Sequence, residues 1–172
     1  MLVYKYHGPP VNCKKDELRT TKIWRPSAFS WLPVMRPIKY VLYTAFHYAR
    51  VFKNRDYCAI FVGQGQEICA SMLIVPAHFK WPFMASTDLQ FIYGVTFSSA
   101  RGKGWGTFMI SEGLRLAAKE GRNIWAVISE ENVPSQRMVE KNGFKLVGEA
   151  KRNRPRMPVL NIVNRYYDDD KV

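Results

Sequence analysis

The segment Thr96-Phe97-Ser98-Ser99-Ala100-Arg101-Gly102-Lys103-Gly104-Trp105-Gly106-Thr107 constrains this chain more than any other. An apolar, β-branched and aromatic run over residues 87–97 precedes it. After it, Phe108, Ile110, Leu114, Ala117 and Ala118 recur at the spacing of one helix face, so a strand must turn directly into a helix here. The first turn of a helix carries backbone N–H groups without internal partners and the positive end of the macrodipole, and so attracts phosphate. The glycines permit close approach, and Arg101 and Lys103 add positive charge.

Two other phosphate-binding turns are excluded. A P-loop needs Gly-Lys followed by Ser or Thr with a glycine five residues before the lysine, whereas Gly104 follows Lys103 and position 98 is Ser. A dinucleotide fingerprint needs glycine at 107, where Thr107 stands, and βαβ units rather than hairpins before it.

The rest of the chain reads as alternating elements. Residues 1–37 are rich in Pro and Trp and predict one short strand, 18–24, followed by loop. Ile38, Leu42, Ala45, Ala49 and Phe52 predict an amphipathic helix over 38–52, with Lys39, Tyr43, His47 and Arg50 on its polar side. Such a helix packs on a core or lies on a membrane surface. Runs 57–62 and 67–75, joined by Gly63-Gln64-Gly65-Gln66, and the run 87–97 predict an antiparallel meander. A helix over 104–120 stopped by Gly121 follows, then a strand 124–128, and a helix from Pro134 to about residue 142 stopped by Gly143. Closing strands are expected at 144–148 and 159–166. The whole is a mixed α/β domain with helices covering a twisted sheet.

Arg-x-x-Gly-x-Gly opening a helix after a strand resembles the signature of the GNAT acyltransferases. A second stretch strengthens the match: Asn132-Val133-Pro134-Ser135-Gln136-Arg137-Met138-Val139-Glu140-Lys141-Asn142-Gly143-Phe144 is similar to that family's Asn-x-x-(Ala/Ser) followed by Lys-x-Gly-Phe. The resemblance is specific over residues 87–149 and topological before that. It implies a GNAT fold: a central, mostly antiparallel twisted sheet of six to seven strands flanked by helices, with strands four and five splayed apart. It also implies acetyl-CoA as acyl donor and no metal. The backbone of Gly102, Lys103, Gly104, Trp105, Gly106 and Thr107 would surround the diphosphate, with Arg101 and Asn132 beside it, and Gly94, Val95 and Thr96 would lie beside the pantetheine arm. A glycine at 94 fits a close backbone approach, or equally a packing position.

Acyl transfer to an amine requires a neutral amine, donors for the oxyanion and a proton for the departing thiolate. Period two places Asp88, Gln90 and Ile92 on one face of the strand, so Asp88 is the candidate base; its other reading is a strand-end carboxylate that orients a neighbouring loop. Many family members place a tyrosine acid where this chain has Val139, which leaves Tyr93 and Ser135 as substitutes. His78, Trp81 and Gln90 are candidates for the acceptor pocket, or else structural residues.

At 172 residues a single domain spanning 1–172 is expected, and 47% hydrophobic against 23% charged residues supports a buried core. The net charge of +12 favours anionic partners. The segment Phe79-Lys80-Trp81-Pro82-Phe83-Met84 is similar to that of GNAT-like proteins of surface-polysaccharide assembly, which implies an amino-sugar acceptor on a nucleotide or lipid carrier. The rival readings are acetylation of a protein N-terminus or lysine, and a nucleic-acid-binding module using Lys145, Lys151, Arg152, Arg154 and Arg156. Three cysteines without CxxC spacing argue against disulfides and zinc. Residues 1–8 lack a leader pattern and no run reaches about 18 apolar residues, so a cytoplasmic protein, monomeric or homodimeric, is expected.

Overall fold

The computed structural model describes residues 1–8, 18–26, 37–52, 54–76 and 83–150. Strands β1 (Leu2–Tyr6) and β2 (Thr20–Trp24) precede helix α1 (Pro37–Tyr48). Strands β3 (Cys58–Gln64), β4 (Glu67–Pro76) and β5 (Leu89–Thr96) follow, and a short 3-10 turn over Ser98–Ala100 leads into α2 (Trp105–Ala117). Strand β6 (Ile124–Ile128), helix α3 (Val133–Glu140) and strand β7 (Phe144–Glu149) complete the described chain. The strands form one seven-stranded sheet in the order β2-β3-β4-β5-β6-β1-β7, and every described pair is antiparallel except β5 with β6. This is the mixed, mostly antiparallel sheet with flanking helices that the sequence pattern implies.

Alternation along the central strands feeds two cores. Cys58, Ile60 and Val62 of β3 join Leu89 and Phe91 of β5 beneath α2 and α3, where Met109, Leu114, Ala117 and Val139 are buried. Ala59 and Phe61 of β3, with Leu73 and Val75 of β4, face α1 instead, against Tyr43, Phe52 and Tyr57. A side-chain period of two thus gives strands buried on both sides, and that is why β3 and β4 are apolar almost throughout.

Two expectations are corrected. The N-terminal strand β1, not foreseen, lies between β6 and β7; its five residues hold one lysine among apolar and aromatic side chains, too short a run to fix an alternation, so its tertiary neighbours define it. It adds one to the count, so the strands that part, the fourth and fifth of the sequence reading at 87–97 and 124–128, are here β5 and β6. Helix α1 ends at Tyr48, not 52, and its buried face is rotated: Tyr43, assigned to the polar side, is buried, while Ala45 and Ala49 are exposed. Aromatic area decides this, because Tyr43 stacks on Phe52 and meets Phe46 edge-on, and rings bury far more surface than alanine methyls. The closing strand expected at 159–166 lies outside the described residues.

Candidate active site

Strands β5 and β6 run parallel and are paired only at Leu89↔Ile124, Gln90↔Trp125 and Phe91↔Ala126. Beyond Phe91, β5 continues to Thr96 and β6 to Ile128 without pairing to each other. The cause is written into β5. Between Ser71↔Val95 and Leu73↔Ile92, the single residue Met72 of β4 stands opposite two residues of β5, Tyr93 and Gly94, and Tyr93 has φ 55°. Such a bulge bends its strand and increases its twist, which carries the end of β5 away from β6. The backbone edge of residues 92–96 therefore faces a V-shaped opening.

Because β5 and β6 are parallel, both deliver their following helix to the open end of the V, the position at which open α/β sheets bind ligands. At α2 the sequence Arg101 to Gly104 forms a turn in which Gly102 and Gly104 have φ 75° and 78°, values that favour glycine. A Cβ built on either meets nothing within 4 Å. The first amide of this region with an acceptor is that of Phe108, which donates to the Gly104 carbonyl at 3.0 Å; among the described residues the six amides of 102–107 have none. Neither α2 nor α3 carries an acidic residue in its first turn. Arg101 is exposed, with Nε donating to the Thr96 carbonyl at 3.4 Å, and Lys103 is exposed beside it. Unpartnered donors, two exposed cations and no competing carboxylate in the first turn make a cradle for a dianion.

Not every residue of the glycine turn faces that cradle. A Cβ at Gly106 would lie 2.5 Å from Met138 Sδ and 3.1 Å from Thr96 Oγ1, so this glycine lets α2 approach α3 and β5. Trp105 is buried beneath Arg19, whose guanidinium lies 4.8 Å from the ring centroid, and its indole packs edge-on against Phe108. Thr107 is half-buried. Only the main chain of residues 105–107 is available to an anion.

On the β6 side, Asn132 caps α3: its Oδ1 accepts the Ser135 amide at 3.2 Å, with Val133 and Pro134 starting the helix. Gln136, which sequence reasoning passed over, donates through Nε2 to the carbonyls of Ser129 (3.0 Å) and Glu130 (2.8 Å) and so pins the loop. Asn142 is also missed as a functional part of the second motif. It is buried, accepts Ser111 Oγ at 2.7 Å and donates to the Met138 carbonyl at 2.8 Å, which fixes α3 against α2. An asparagine just before a helix-ending glycine is the signal that identifies such a clamp.

Asp88 lies one residue before β5 and is 1% exposed. Its Oδ1 accepts the Asn123 amide and Asn123 Nδ2, both at 3.2 Å, while Oδ2 accepts Ala85 N at 2.9 Å and Trp125 Nε1 at 2.8 Å. Each oxygen has two donors, which uses all four lone-pair directions of a carboxylate and leaves none for a substrate proton. Asp88 instead ties the start of β5 to the start of β6. Tyr93 and Ser135 are not brought together: Tyr93 packs with the α1 core, while Ser135 begins α3 on the opposite face of the sheet. Burial pushes the neighbouring Tyr43 hydroxyl well above the usual phenol range, and Tyr93 acts in the same sense. Val139 is buried in the α2–α3 core. Gly94 faces Met109, whose Cε would lie 3.4 Å from an added Cβ, and Val95 is exposed. Gln90 is buried on the α1 face, and its Oε1 has no hydrogen-bond partner. His78 and Trp81, like the basic run at 151–156, lie outside the described residues. No cluster of three or more metal-ligating side chains occurs among the described residues, and no described helix is long and apolar enough to cross a membrane.

No curated protein sequence matches the chain. Solved structures do. Aminoglycoside N-acetyltransferase AAC(6')-Iy in complex with CoA superposes with a TM-score of 0.55 at 12% identity, over 80% of this chain and 100% of that one. The same enzyme with a bisubstrate analogue, CoA-S-monomethyl-acetylneamine, gives 0.54 at 14% identity, over 73% and 84% of the two chains. The aminoglycoside acetyltransferase meta-AAC0020 from an uncultured soil metagenomic sample, in complex with sisomicin, gives 0.58 at 7% identity, over 83% and 98%. At such identities the likeness is one of fold. The sequence pattern of the family described as acetyltransferase (GNAT) matches residues 20–144, from β2 through α3 to the first residue of β7, and this chain belongs to that family.

Proposed function

We propose that the protein transfers the acetyl group of acetyl-CoA to the primary amine of a small molecule, and that the amine belongs to an amino-sugar or a related anionic sugar conjugate. The observation that carries the first part is the set of six unpartnered amides at residues 102–107, placed at the open end of the β5–β6 V. Family membership and the CoA bound to AAC(6')-Iy support the same donor. The net charge of +12 supports an anionic acceptor.

Bound there, acetyl-CoA supplies an acyl carbon already activated as a thioester. The amides of 102–107, with Arg101 and Lys103, hold the diphosphate; the free edge of 92–96 offers strand-like hydrogen bonds to the amide-bearing arm, with Gly94, Val95 and Thr96 alongside. Asn132 shapes the opposite wall by fixing the start of α3. Tyr93 borders the opening on the α1 face, where an amine approaches, and Ser135 borders it on the α3 face, where the departing sulfur needs a proton. Asp88 holds the apex of the V and takes no part in proton transfer.

Calorimetric titration with CoA tests the donor site. Gly104→Glu places a negative side chain in the cradle at a position of positive φ, and should weaken CoA by at least about a hundredfold. Wild-type affinity in that variant would remove the cradle from the proposal. Thiol release from acetyl-CoA over a panel of sugar amines, polyamines and peptides then tests transfer, and release with peptides alone would overturn the sugar assignment.

A further inference from the structure

On the α1 face, at the last paired positions before β5 and β6 part, Gln90 stands directly beside Trp125. Gln90 is 3% exposed, and its Oε1 is buried without a donor. Leaving such an acceptor unmatched costs about 1–3 kcal/mol, a price that native folds seldom retain without a use. The indole beside it is held rigidly, since Trp125 Nε1 donates to Asp88 Oδ2 at 2.8 Å. Phe83 meets that ring at 5.2 Å and 63°, and is 43% exposed. Lys5 Nζ lies 5.3 Å from the Trp125 centroid, and Lys145 of β7 is paired with Lys5 in the sheet. No described carboxylate forms an ion pair with either lysine.

We infer that Gln90, Trp125, Phe83 and Lys5 form the acceptor subsite, and that its ligand is a hydroxylated ring carrying an amine and an anionic group, the chemistry of an amino-sugar phosphate. This rests on the acetyltransferase reading and deepens it. Each part of the ligand follows from one feature. The Gln90 oxygen requires an N–H or O–H donor, which a hydrocarbon amine offers at one atom only and a sugar offers around its ring. The apolar C–H face of such a ring packs on the fixed indole and Phe83. Lys5, with Lys145 behind it, attracts a phosphate and repels a polycation. The placement fits transfer as well: Gln90 is two residues from Ile92, about 7 Å along the strand, where the free edge of β5 begins.

The test is binding of glucosamine 6-phosphate and of glucosamine to wild type, Lys5→Met and Gln90→Met, by titration calorimetry and saturation-transfer NMR, each with and without saturating CoA. Wild type should bind the phosphorylated sugar about tenfold or more tighter than the neutral one. Lys5→Met should abolish that preference while leaving glucosamine unchanged. Gln90→Met should weaken both sugars about five- to tenfold, without lowering the melting temperature, because it removes an unmatched oxygen and keeps the volume. CoA affinity should be the same in all three. No binding of glucosamine 6-phosphate at about 10 mM, no preference over glucosamine, or variants that bind both sugars as wild type does would each overturn the subsite. Were Gln90→Met not to fold, loss or retention of the phosphate preference in Lys5→Met decides. A wild type that binds the phosphorylated sugar but not CoA would instead overturn the acetyltransferase reading and leave the subsite standing.

Discussion

The two ends of β5 treat hydrogen bonding in opposite ways. At its start, one carboxylate, Asp88, receives four donors from three residues, Ala85, Asn123 and Trp125, and is buried. Beyond its end, six consecutive amides, 102–107, have no acceptor among the described residues, and the first three belong to exposed residues. The first arrangement is closed: three donors tie the start of β5 to that of β6, and the fourth, from Ala85, fixes the turn before β5. The second holds a surplus that the fold itself does not use. What distinguishes a structural polar cluster from a binding one here is the balance of donors and acceptors, not the presence of a charged residue. On sequence alone Asp88 reads either as a base or as a strand-end carboxylate that orients a neighbouring loop, and its four donors favour the second.

If that contrast is right, damage at the two ends should separate stability from ligand affinity. Asp88→Ala should give the largest loss of stability. It leaves several buried donors unmatched at about 1–3 kcal/mol each, so at least about 3 kcal/mol in chemical unfolding is expected. CoA affinity measured on the folded fraction should hold. A stable Asp88→Ala protein with normal CoA binding and no turnover would restore Asp88 as the base.

Gly106→Ala sharpens the boundary inside the glycine turn. With Met138 Sδ 2.5 Å from the new methyl, overpacking of about 1–3 kcal/mol is expected, against little direct effect on the open anion cradle. Adding Met138→Ala should recover part of it, so a double-mutant cycle should show favourable coupling. Strict additivity would place Gly106 with Gly102 and Gly104 instead.

The smallest effect belongs to Asp56, held by Lys119 at 2.8 Å and Arg122 at 2.6 Å, whose hydrogen bonds and charges lower its carboxyl from 3.8 to about 2. The lowered value means that its stabilisation is present above pH 4 and fades as pH falls toward 2. Nearly half its side chain is exposed, so Asp56→Asn should cost less than about 1 kcal/mol at neutral pH. The melting temperatures of variant and wild type should converge between pH 4 and 2; a constant gap would show that packing rather than charge is responsible.

Much of this architecture was legible in residue order because local signals agreed with the tertiary result. Strand β6 was read at its observed limits, and β3, β4, β5 and β7 within a few residues, since alternation or apolar runs met clear turns at Gly65 and Gly143. The glycine turn and the Asn132 cap were legible because their chemistry is local. What failed was non-local. The roles of Asp88 and Asn142 depend on donors and acceptors about 31 to 35 residues away, and the buried face of α1 depends on Phe52 beyond its end. Strand β1 has too little pattern in five residues to be distinguished from loop.

That strand also bears on how the protein is made. Residues Leu2–Tyr6 are translated before both of their partners, β6 on one side and β7, ending at Glu149, on the other. At a synthesis rate of about 5–20 residues per second, roughly 7 to 30 s pass before the outer partner of β1 exists. The nascent chain must therefore hold β1 without its β7 partner while everything between them is translated, and closing this side of the sheet joins segments far apart in the chain.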